Sequence, residues 1–276
     1  MANWKINRCF KSSGGEIAYD QFGQGPPLVL VHGTPFSSYV WRNIVPALAN
    51  NWTVYVYDLL GYGHSEKYEG QDVSLAAQTR VLVELLDHWQ LDRPAVVGHD
   101  FGGATVLRTH LLAGRPLGSM ALVDAVALAP WGSPFVQHVK QHRAAFDGLP
   151  AYIHRAIVAA YIRDAVYRRL EDEEVMPYVE PWLDAAGQPA FYRQIAQMDQ
   201  RYTDEIEPLY GTIKRPVLLL WGANDGWIPP AKGRQLHKYI PHSELHLIPN
   251  ASHLVQEDAP ELVTRHLIRF FRENTA

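Results

Sequence analysis

The sequence of 276 residues predicts an α/β fold with a mostly parallel central sheet, helices on both faces and an inserted helical cap. Two observations support this prediction. Short apolar runs alternate with longer segments of helical periodicity in the first half of the chain, and again near its end, which is typical of successive strand and helix units. Residues from about 130 to 213 break this alternation, because they contain aromatic-rich helical patterns and no convincing strand.

The predicted strands of the first half are the apolar runs at residues 27–33, 53–58, 94–100 and 119–125. Runs this apolar are typical of strands that are covered on both faces. Between the second and third runs, residues 74–89 have apolar side chains at helical spacing, and Ser74 is a suitable N-cap. A strand, a helix and a strand in succession predict parallel pairing with right-handed crossovers.

The second half is predicted to return to the sheet after the helical segment. Its elements are a strand at 215–225, a helix, a strand at 243–250 and a last helix at 260–271 that begins with Pro260. The simplest domain organisation is a core of residues 1–129 and 214–276. Residues 130–213 then form a helical cap, which is inserted after the strand that ends near Ala125.

Composition and charge indicate an ordinary globular protein, with 47% hydrophobic residues, 20% charged residues and a net charge of −4. Such a mildly acidic chain gives no electrostatic reason to expect nucleic acid or a membrane surface as a partner. Cys9 is the single cysteine, so an intramolecular disulfide is excluded. The sequence has no signal-peptide pattern and no apolar run long enough to span a membrane, and we expect a cytoplasmic protein.

The stretch GHDFG at residues 98–102 has the outline of a strand-to-helix elbow, in which a nucleophile stands between two glycines. Gly98 and Gly102 allow the backbone to turn sharply, and the middle residue projects from the start of the following helix. That middle residue is Asp100 rather than serine. A second interpretation is that Asp100 is only a helix N-cap, a position that aspartate commonly occupies.

Three further stretches favour a catalytic triad. VHGTP at 31–35 follows an early strand, so the backbone N–H of Thr34 is expected to form an oxyanion site with the N–H of Phe101. Asp225 and His253 lie in the loops that follow the last two predicted strands. The order nucleophile, acid and histidine, with each residue at the carboxyl end of a strand, is the order found in α/β-hydrolases.

A competing acid is Asp124, which ends the strand at 119–125. The sequence favours Asp225 as the triad acid, since Asp124 can instead accept a structural hydrogen bond in the sheet.

On these motifs the chain resembles the α/β-hydrolases that use an aspartate nucleophile, a branch that contains epoxide hydrolases and haloalkane dehalogenases. The resemblance covers nearly the full length of the chain, and the cap is its least specific part. It implies that the carboxylate of Asp100 attacks a saturated carbon and forms an alkyl ester. Water activated by His253 then hydrolyses the ester, while Asp225 orients the imidazole.

The leaving group distinguishes the two chemistries. Similar dehalogenases hold the halide with a tryptophan directly after the nucleophile and a second Trp or Asn, whereas this sequence has Phe101 and Thr34 at those positions. Similar epoxide hydrolases protonate the opening ring with two cap tyrosines, for which Tyr192 and Tyr152 are the candidates. We therefore predict epoxide opening.

Haloalkane dehalogenation is the alternative, because the stretches at 32–48 and 58–67 look closer to dehalogenases. In that case Trp131 or Trp182 of the cap is a candidate halide donor. Two further hypotheses are less favoured: that the protein hydrolyses a lactone or ester, and that it binds a ligand without catalysis.

The partners implied are water and a small, mainly apolar organic substrate. His32 and Pro35 join the two tryptophans as possible pocket residues. The sequence contains no phosphate-binding loop, no dinucleotide fingerprint and no complete set of metal ligands, so no cofactor and no metal are expected. It does not predict an oligomeric state.

Overall fold

A computed structural model describes residues 4–274 and contains one sheet of eight strands. The strands are β1 (Arg8–Ser12), β2 (Gly15–Phe22), β3 (Pro27–Val31), β4 (Thr53–Tyr57), β5 (Ala95–His99), β6 (Met120–Val123), β7 (Val217–Gly222) and β8 (Ser243–Ile248). Their order across the sheet is β1-β2-β4-β3-β5-β6-β7-β8. The six strands β4-β3-β5-β6-β7-β8 pair in parallel with their neighbours. At the other edge, β1 pairs with β2 and β2 pairs with β4 in antiparallel fashion.

The six strands predicted from apolar runs are confirmed, and the fold class with them. The hairpin of β1 and β2 was not predicted from the sequence. This hairpin lies at the sheet edge, and β1 exposes most of its residues. A strand that is solvated on one side has no continuous apolar run, so its composition does not distinguish it from a loop.

The helices cover the sheet and fill the segment between β6 and β7. They are α1 (Val45–Leu48), α2 (Leu75–His88), α3 (Phe101–Leu111), α4 (Pro134–Asp147), α5 (Ala151–Asp164), α6 (Asp172–Val179), α7 (Gly187–Ala196), α8 (Arg201–Asp204), α9 (Pro230–Tyr239), α10 (Val255–Asp258) and α11 (Pro260–Asn274). The side chain of Ser74 accepts the N–H of Ala77 and caps α2, as predicted. Across residues 4–274, no helix combines the length and apolarity that a bilayer crossing requires.

The segment between β6 and β7 contains α4 to α8 and two short 3₁₀ helices, without a strand. Its contacts with the core include buried polar bonds. Glu257 of α10 accepts hydrogen bonds from the hydroxyl of Tyr178 in α6 and from Arg42, and the N–H of Leu254 donates to the carbonyl of Ala165. A third donor to Glu257 is Arg168, at 3.4 Å, so this buried carboxylate is well compensated. These bonds hold the helical segment over the carboxyl ends of the parallel strands; its definition as a separate cap at residues 130–213 stays a prediction.

Candidate active site

Asp100 stands at the turn between β5 and α3 with φ of 51° and ψ of −117°. The turn requires glycine on both sides. A Cβ on Gly98 would lie 2.5 Å from the carbonyl oxygen of Gly102, and one on Gly102 would lie 2.2 Å from that of Val31. The Asp100 side chain makes no capping hydrogen bond to α3, so the interpretation as a simple N-cap is wrong.

The Asp100 carboxylate is buried and faces two groups. Its Oδ1 accepts the backbone N–H of Thr34 at 2.8 Å, and its Oδ2 lies 3.5 Å from Nε2 of His253. Phe101 opens α3 directly after Asp100 and contributes its side chain to the cavity wall. One carboxylate oxygen is therefore held by a backbone donor, while the other remains open towards the histidine.

His253 is fully buried and is oriented by a second carboxylate. Its Nδ1 lies 3.0 Å from Oδ2 of Asp225 and donates to it, because a carboxylate can only accept. Oδ1 of Asp225 accepts the backbone N–H groups of Trp227 at 2.8 Å and Ile228 at 2.9 Å. The carbonyl of His253 accepts Nε2–H of His99 at 3.0 Å. These bonds leave Nε2 of His253 directed towards Oδ2 of Asp100, which lies 3.5 Å away.

The electrostatics of this group favour a protonated histidine in the resting site. Burial opposes the charged form, but the carboxylates of Asp225 and Asp100 outweigh it and raise the pKa of His253 well above its usual value. Any event that neutralises Asp100 removes one of the two anions and lowers this pKa again.

Asp124, the competing acid, lies beside Asp225 rather than beside the imidazole. Its Oδ1 accepts the N–H of Gly222 at 2.7 Å, and no hydrogen bond joins it to His253 among the described residues. Burial and the neighbouring charge of Asp225 raise the pKa of Asp124 well above its usual value, which favours a neutral carboxylic acid. Asp225 is the residue that holds His253.

A cavity of about 30 Å³ lies in front of Asp100, between the core and the helical segment. Its walls are formed by Thr34, Asp100, Phe101, Val126, Trp131, Gly132, Ser133, Val136, Tyr161, Met198, Trp227 and Ile228. Most of these side chains are apolar or aromatic, as expected of a site for a mainly apolar molecule.

Trp227 is a wall residue that the sequence analysis did not identify. Its ring stacks on His253 with centroids 4.8 Å apart and on Tyr161 at 4.3 Å, and its Nε1 donates to Asp164 at 2.8 Å. The aromatic face covers the imidazole and fixes its plane. The available signal was its position two residues after Asp225, in the same loop.

Tyr161 of α5 is the second wall residue that sequence reasoning missed. Burial and the nearby charge of Asp100 raise the pKa of Tyr161. A hydrogen bond with Ser133 lowers it, but by less. Its phenol therefore keeps its proton at neutral pH and can donate to a group in the cavity.

The two tyrosines predicted from the sequence lie elsewhere. Tyr152 is 73% exposed on the surface of α5, so its prediction as a proton donor is wrong. Tyr192 is buried, but its hydroxyl lies 2.9 Å from Nδ1 of His154. Nε2 of His154 donates to the carbonyl of Trp182, so Nδ1 must accept the proton of Tyr192. The Tyr192 hydroxyl is thus engaged outside the cavity, and the cavity tyrosine is Tyr161.

The two candidate halide donors are also engaged by protein acceptors. Trp131 forms part of the cavity wall, but its Nε1 donates to the hydroxyl of Thr203 at 2.9 Å. Trp182 is buried outside the wall, and its Nε1 donates to the carbonyl of Pro35 at 2.9 Å. Neither indole N–H is free for a halide in this structure.

His32 and Pro35 support the loop that carries Thr34 instead of lining the cavity. Nε2 of His32 accepts the N–H of Leu59 at 2.8 Å, and its Nδ1 donates to the carbonyl of Gly33 at 2.9 Å. Burial lowers the pKa of His32, which keeps it neutral. The expectation that these two residues form the pocket is therefore wrong, and they instead hold the loop that carries Thr34.

Gln194 of α7 connects the helical segment to the loop that carries Thr34, a contact that was not predicted from the sequence. Its side-chain oxygen accepts hydrogen bonds from the hydroxyl of Thr34 at 2.7 Å and from that of Tyr62 at 3.0 Å.

Within residues 4–274 no cluster of three potential metal ligands occurs.

Comparisons with known proteins agree with this architecture. Residues 26–260 match the family model described as alpha/beta hydrolase fold. The chain is 32% identical to Haloalkane dehalogenase 2 of Mycobacterium tuberculosis, with 96% of this chain and 94% of the relative covered.

Two solved structures extend the comparison. The crystal structure of an alpha/beta hydrolase fold protein from Burkholderia ambifaria is 51% identical, with a TM-score of 0.94, and covers 96% of this chain and 98% of its own. The epoxide hydrolase CorEH is 24% identical with a TM-score of 0.78, covering 98% of this chain and 99% of its own, and at that identity the likeness concerns the fold alone.

Proposed function

The chain belongs to the alpha/beta hydrolase fold family, and on that premise we propose that it hydrolyses a small epoxide to a diol through an ester on Asp100. The observation that carries this proposal is the position of His253, whose Nε2 faces Oδ2 of Asp100 while Nδ1 donates to Asp225. Such an arrangement suits a nucleophile that is charged before the reaction and a base that acts after it.

In the first step, Oδ2 of Asp100 attacks a ring carbon and the C–O bond of the epoxide breaks. Oδ1 stays hydrogen-bonded to the N–H of Thr34 at 2.8 Å and becomes the carbonyl oxygen of the ester. The electron pair of the broken bond goes to the former ring oxygen, which takes the phenolic proton of Tyr161. The product is a hydroxyalkyl ester of Asp100.

In the second step, His253 removes a proton from water, and the oxygen of that water attacks the ester carbonyl carbon. The negative charge develops on Oδ1, where the Thr34 N–H receives it. Collapse of the adduct expels the diol oxygen, which takes the proton from His253. The Asp100 carboxyl then ionises, and its proton restores Tyr161, so the sum is epoxide plus water to diol.

The ester itself prepares the base for this step. Esterification neutralises Asp100, one of the two anions that raise the pKa of His253. Its pKa therefore falls when the intermediate forms, so the imidazolium of the resting site releases its proton to solvent water and the neutral imidazole acts as the base. The proton returns from solvent when the Asp100 carboxylate is restored.

Tyr161→Phe is expected to lower kcat/KM for epoxides by about 10²-fold, because the departing oxygen loses its proton donor. Tyr192→Phe removes the same hydroxyl from a tyrosine that faces His154, and we expect its kcat/KM to stay within about threefold of the wild type. Initial rates of diol formation measure both variants. Equal losses in the two variants would contradict the assignment of Tyr161.

Haloalkane dehalogenation is the second candidate, favoured by the 32% identity to a haloalkane dehalogenase over nearly the whole chain. Against it, the two tryptophan N–H groups of Trp131 and Trp227 in the wall donate to Thr203 and Asp164. Two rates decide between the candidates: halide release from chlorinated and brominated alkanes, and diol formation from epoxides with the same carbon skeletons. A higher kcat/KM for the haloalkane would make this candidate the function.

A single turnover in heavy-oxygen water tests the ester itself. With enzyme in excess over epoxide, the diol is expected to contain no heavy oxygen, since its new oxygen comes from Asp100, and the label is expected in that carboxylate. Mass spectrometry of the diol and of the peptide containing Asp100 measures both. Heavy oxygen in the diol after the first turnover would mean that water attacks the substrate directly, and it would refute the ester on Asp100.

The cavity of about 30 Å³ has room for little more than one water molecule, so an epoxide enters it only when wall side chains move aside. Met198 is a buried wall residue, and Met198→Ala should raise the ratio of kcat/KM for a larger over a smaller epoxide about tenfold. Met176→Ala in α6, which does not belong to the wall, is the matched control and should leave the ratio unchanged. An unchanged ratio in Met198→Ala would mean that another element limits size.

A further inference from the structure

The loop that follows β3 is held by two side chains of the helical segment. Nε1 of Trp182 donates to the carbonyl of Pro35 at 2.9 Å. The hydroxyl of Thr34 donates to Oε1 of Gln194 at 2.7 Å. Thr34 is also the residue whose backbone N–H donates to Oδ1 of Asp100 at 2.8 Å. One residue therefore contacts α7 through its side chain and the Asp100 carboxylate through its backbone.

Gln194 is an unfavourable residue for a position that needs only to be filled. It is 2% exposed, and its Oε1 accepts two hydroxyl donors, those of Thr34 and Tyr62. Its Nε2 has no hydrogen-bond partner within residues 4–274. Burial of an unsatisfied N–H group destabilises a fold, whereas a methionine would fill similar space without that cost. What the amide contributes is therefore an acceptor for the two hydroxyls.

The hydrogen bond to Gln194 restricts the backbone of Thr34. Oγ1 of Thr34 is attached to Cβ, and the χ1 angle of a β-branched residue is limited to few rotamers. A bond that holds Oγ1 therefore also limits how far the backbone N–H of the same residue moves. That N–H is the group that faces Oδ1 of Asp100.

The two steps of the proposed reaction use the Thr34 N–H differently. In the first step the Asp100 carboxylate loses negative charge as it attacks, so its hydrogen bond to Thr34 weakens towards the transition state. In the second step negative charge develops on Oδ1, so the same bond strengthens. An interaction accelerates a step only if it is stronger in the transition state than in the ground state. Correct placement of the Thr34 N–H therefore favours ester hydrolysis and not ester formation.

We propose that Gln194 is a positioning residue for hydrolysis of the ester, because it fixes the N–H of Thr34 beside Oδ1 of Asp100. This inference rests on the proposed function, since it assigns Gln194 to the second step of that reaction. Gln194 is not part of the wall of the cavity in front of Asp100, and it acts through Thr34. Because Gln194 belongs to α7, the donor is held only while this helix packs against the loop after β3.

Single-turnover kinetics with an epoxide separate the two steps. Gln194→Met is expected to slow ester hydrolysis about tenfold, because the oxyanion loses part of its stabilisation. Ester formation is expected to stay within about threefold of the wild type, because the Thr34 N–H does not assist it. The ester on Asp100 should therefore accumulate in the variant, and intact-mass measurement during the turnover detects it.

Gln197→Met is the matched control, because Gln197 also joins the end of α7 to the core. Its Oε1 accepts the N–H of Val73 at 2.7 Å, and its Nε2 donates to the carbonyl of Gln71 at 2.8 Å. The control therefore loosens the packing of α7 without breaking the bond to Thr34. Both of its rates are expected to stay within about threefold of the wild type.

Thr34→Val breaks the same hydrogen bond from its other end and keeps the backbone N–H. It is expected to slow ester hydrolysis as much as Gln194→Met does. The double variant should be no slower than either single variant, since both changes remove one interaction. If Gln194→Met does not fold, the ratio of the two rates in Thr34→Val decides the outcome.

Hydrogen exchange of the Thr34 amide in the ligand-free protein, followed by NMR, tests the positioning without a substrate. Exchange should be at least about fivefold faster in Gln194→Met than in wild type and Gln197→Met, because the loop opens more easily. Three results would overturn the proposal: unchanged ester hydrolysis in Gln194→Met, equal slowing in Gln197→Met, or unchanged exchange of the Thr34 amide. If neither wild type nor His253→Gln forms an ester, the proposed function fails instead, and the exchange rates alone decide whether Gln194 positions Thr34.

Discussion

When mixed with substrate, the variant His253→Gln is expected to accumulate a covalent ester on Asp100. The wild type is expected to hydrolyse that ester too fast for it to accumulate. The carboxylate of Asp100 is held by the N–H of Thr34 and does not need His253 for its attack, whereas the attack of water on the ester does. Turnover should fall by about 10³-fold or more, while the rate of ester formation stays within about tenfold of the wild type. Intact-mass measurement after a short exposure reports the ester directly.

The mass of the adduct also identifies the chemistry. An increase equal to a whole epoxide, mapped to the peptide that contains Asp100, corresponds to ring opening, and an alkyl increase without the halogen corresponds to dehalogenation. Asp100→Asn combined with His253→Gln is the blank, because the amide is not a nucleophile of comparable strength. If His253→Gln forms no adduct with a molecule that the wild type converts, the ester mechanism is refuted.

Asp225→Asn is expected to lower kcat by about 10²- to 10⁴-fold. Oδ2 of Asp225 accepts the proton of Nδ1 of His253, and an amide in its place favours the wrong tautomer. The charge of Asp225 is also the largest influence that raises the pKa of His253, so its removal lowers that pKa. Since the imidazole must be neutral to activate water, the acidic limb of the pH profile for the residual turnover should move to lower pH.

Asp124→Asn is the matched control for this prediction, because it neutralises the adjacent buried carboxyl. The side-chain oxygen of Asn can still accept the N–H of Gly222, and the raised pKa of Asp124 already favours its neutral form. We expect kcat within about threefold of the wild type and an unshifted pH profile. A larger loss in Asp124→Asn than in Asp225→Asn would reverse the assignment of the triad acid.

The core of the fold was predictable because its information is local. Parallel strands that are buried on both faces need runs of apolar residues, and all six such runs became strands. Ser74 and Pro260 mark the beginnings of α2 and α11, where the first turn of a helix depends on its own residues. The edge hairpin of β1 and β2 escaped prediction, because its pairing depends on a neighbour that its half-exposed sequence does not reveal.

The side chains of the helical segment between β6 and β7 were predictable only in part. Helical periodicity indicates that residues 130–213 form helices, but it does not indicate which tyrosine of which helix faces Asp100. Tyr152 and Tyr161 belong to the same helix, α5, yet the first is exposed and the second lines the cavity. The rotation of α5 about its axis is determined by contacts with Trp227 and other distant residues, and these contacts are not written in the local pattern.

The sequence by itself determined the six parallel strands of the sheet, the elbow at Asp100 and the loops that carry Asp225 and His253. Parallel strands bring their carboxyl ends, and the residues that follow them, to one edge of the sheet. The tertiary structure alone decided which carboxylate contacts His253 and that Tyr161 and Trp227 line the cavity. The physical reason is that these features are distances between side chains far apart in the chain. Such distances follow from how helices and loops pack against each other, whereas periodicity and motif spacing describe only neighbours in sequence.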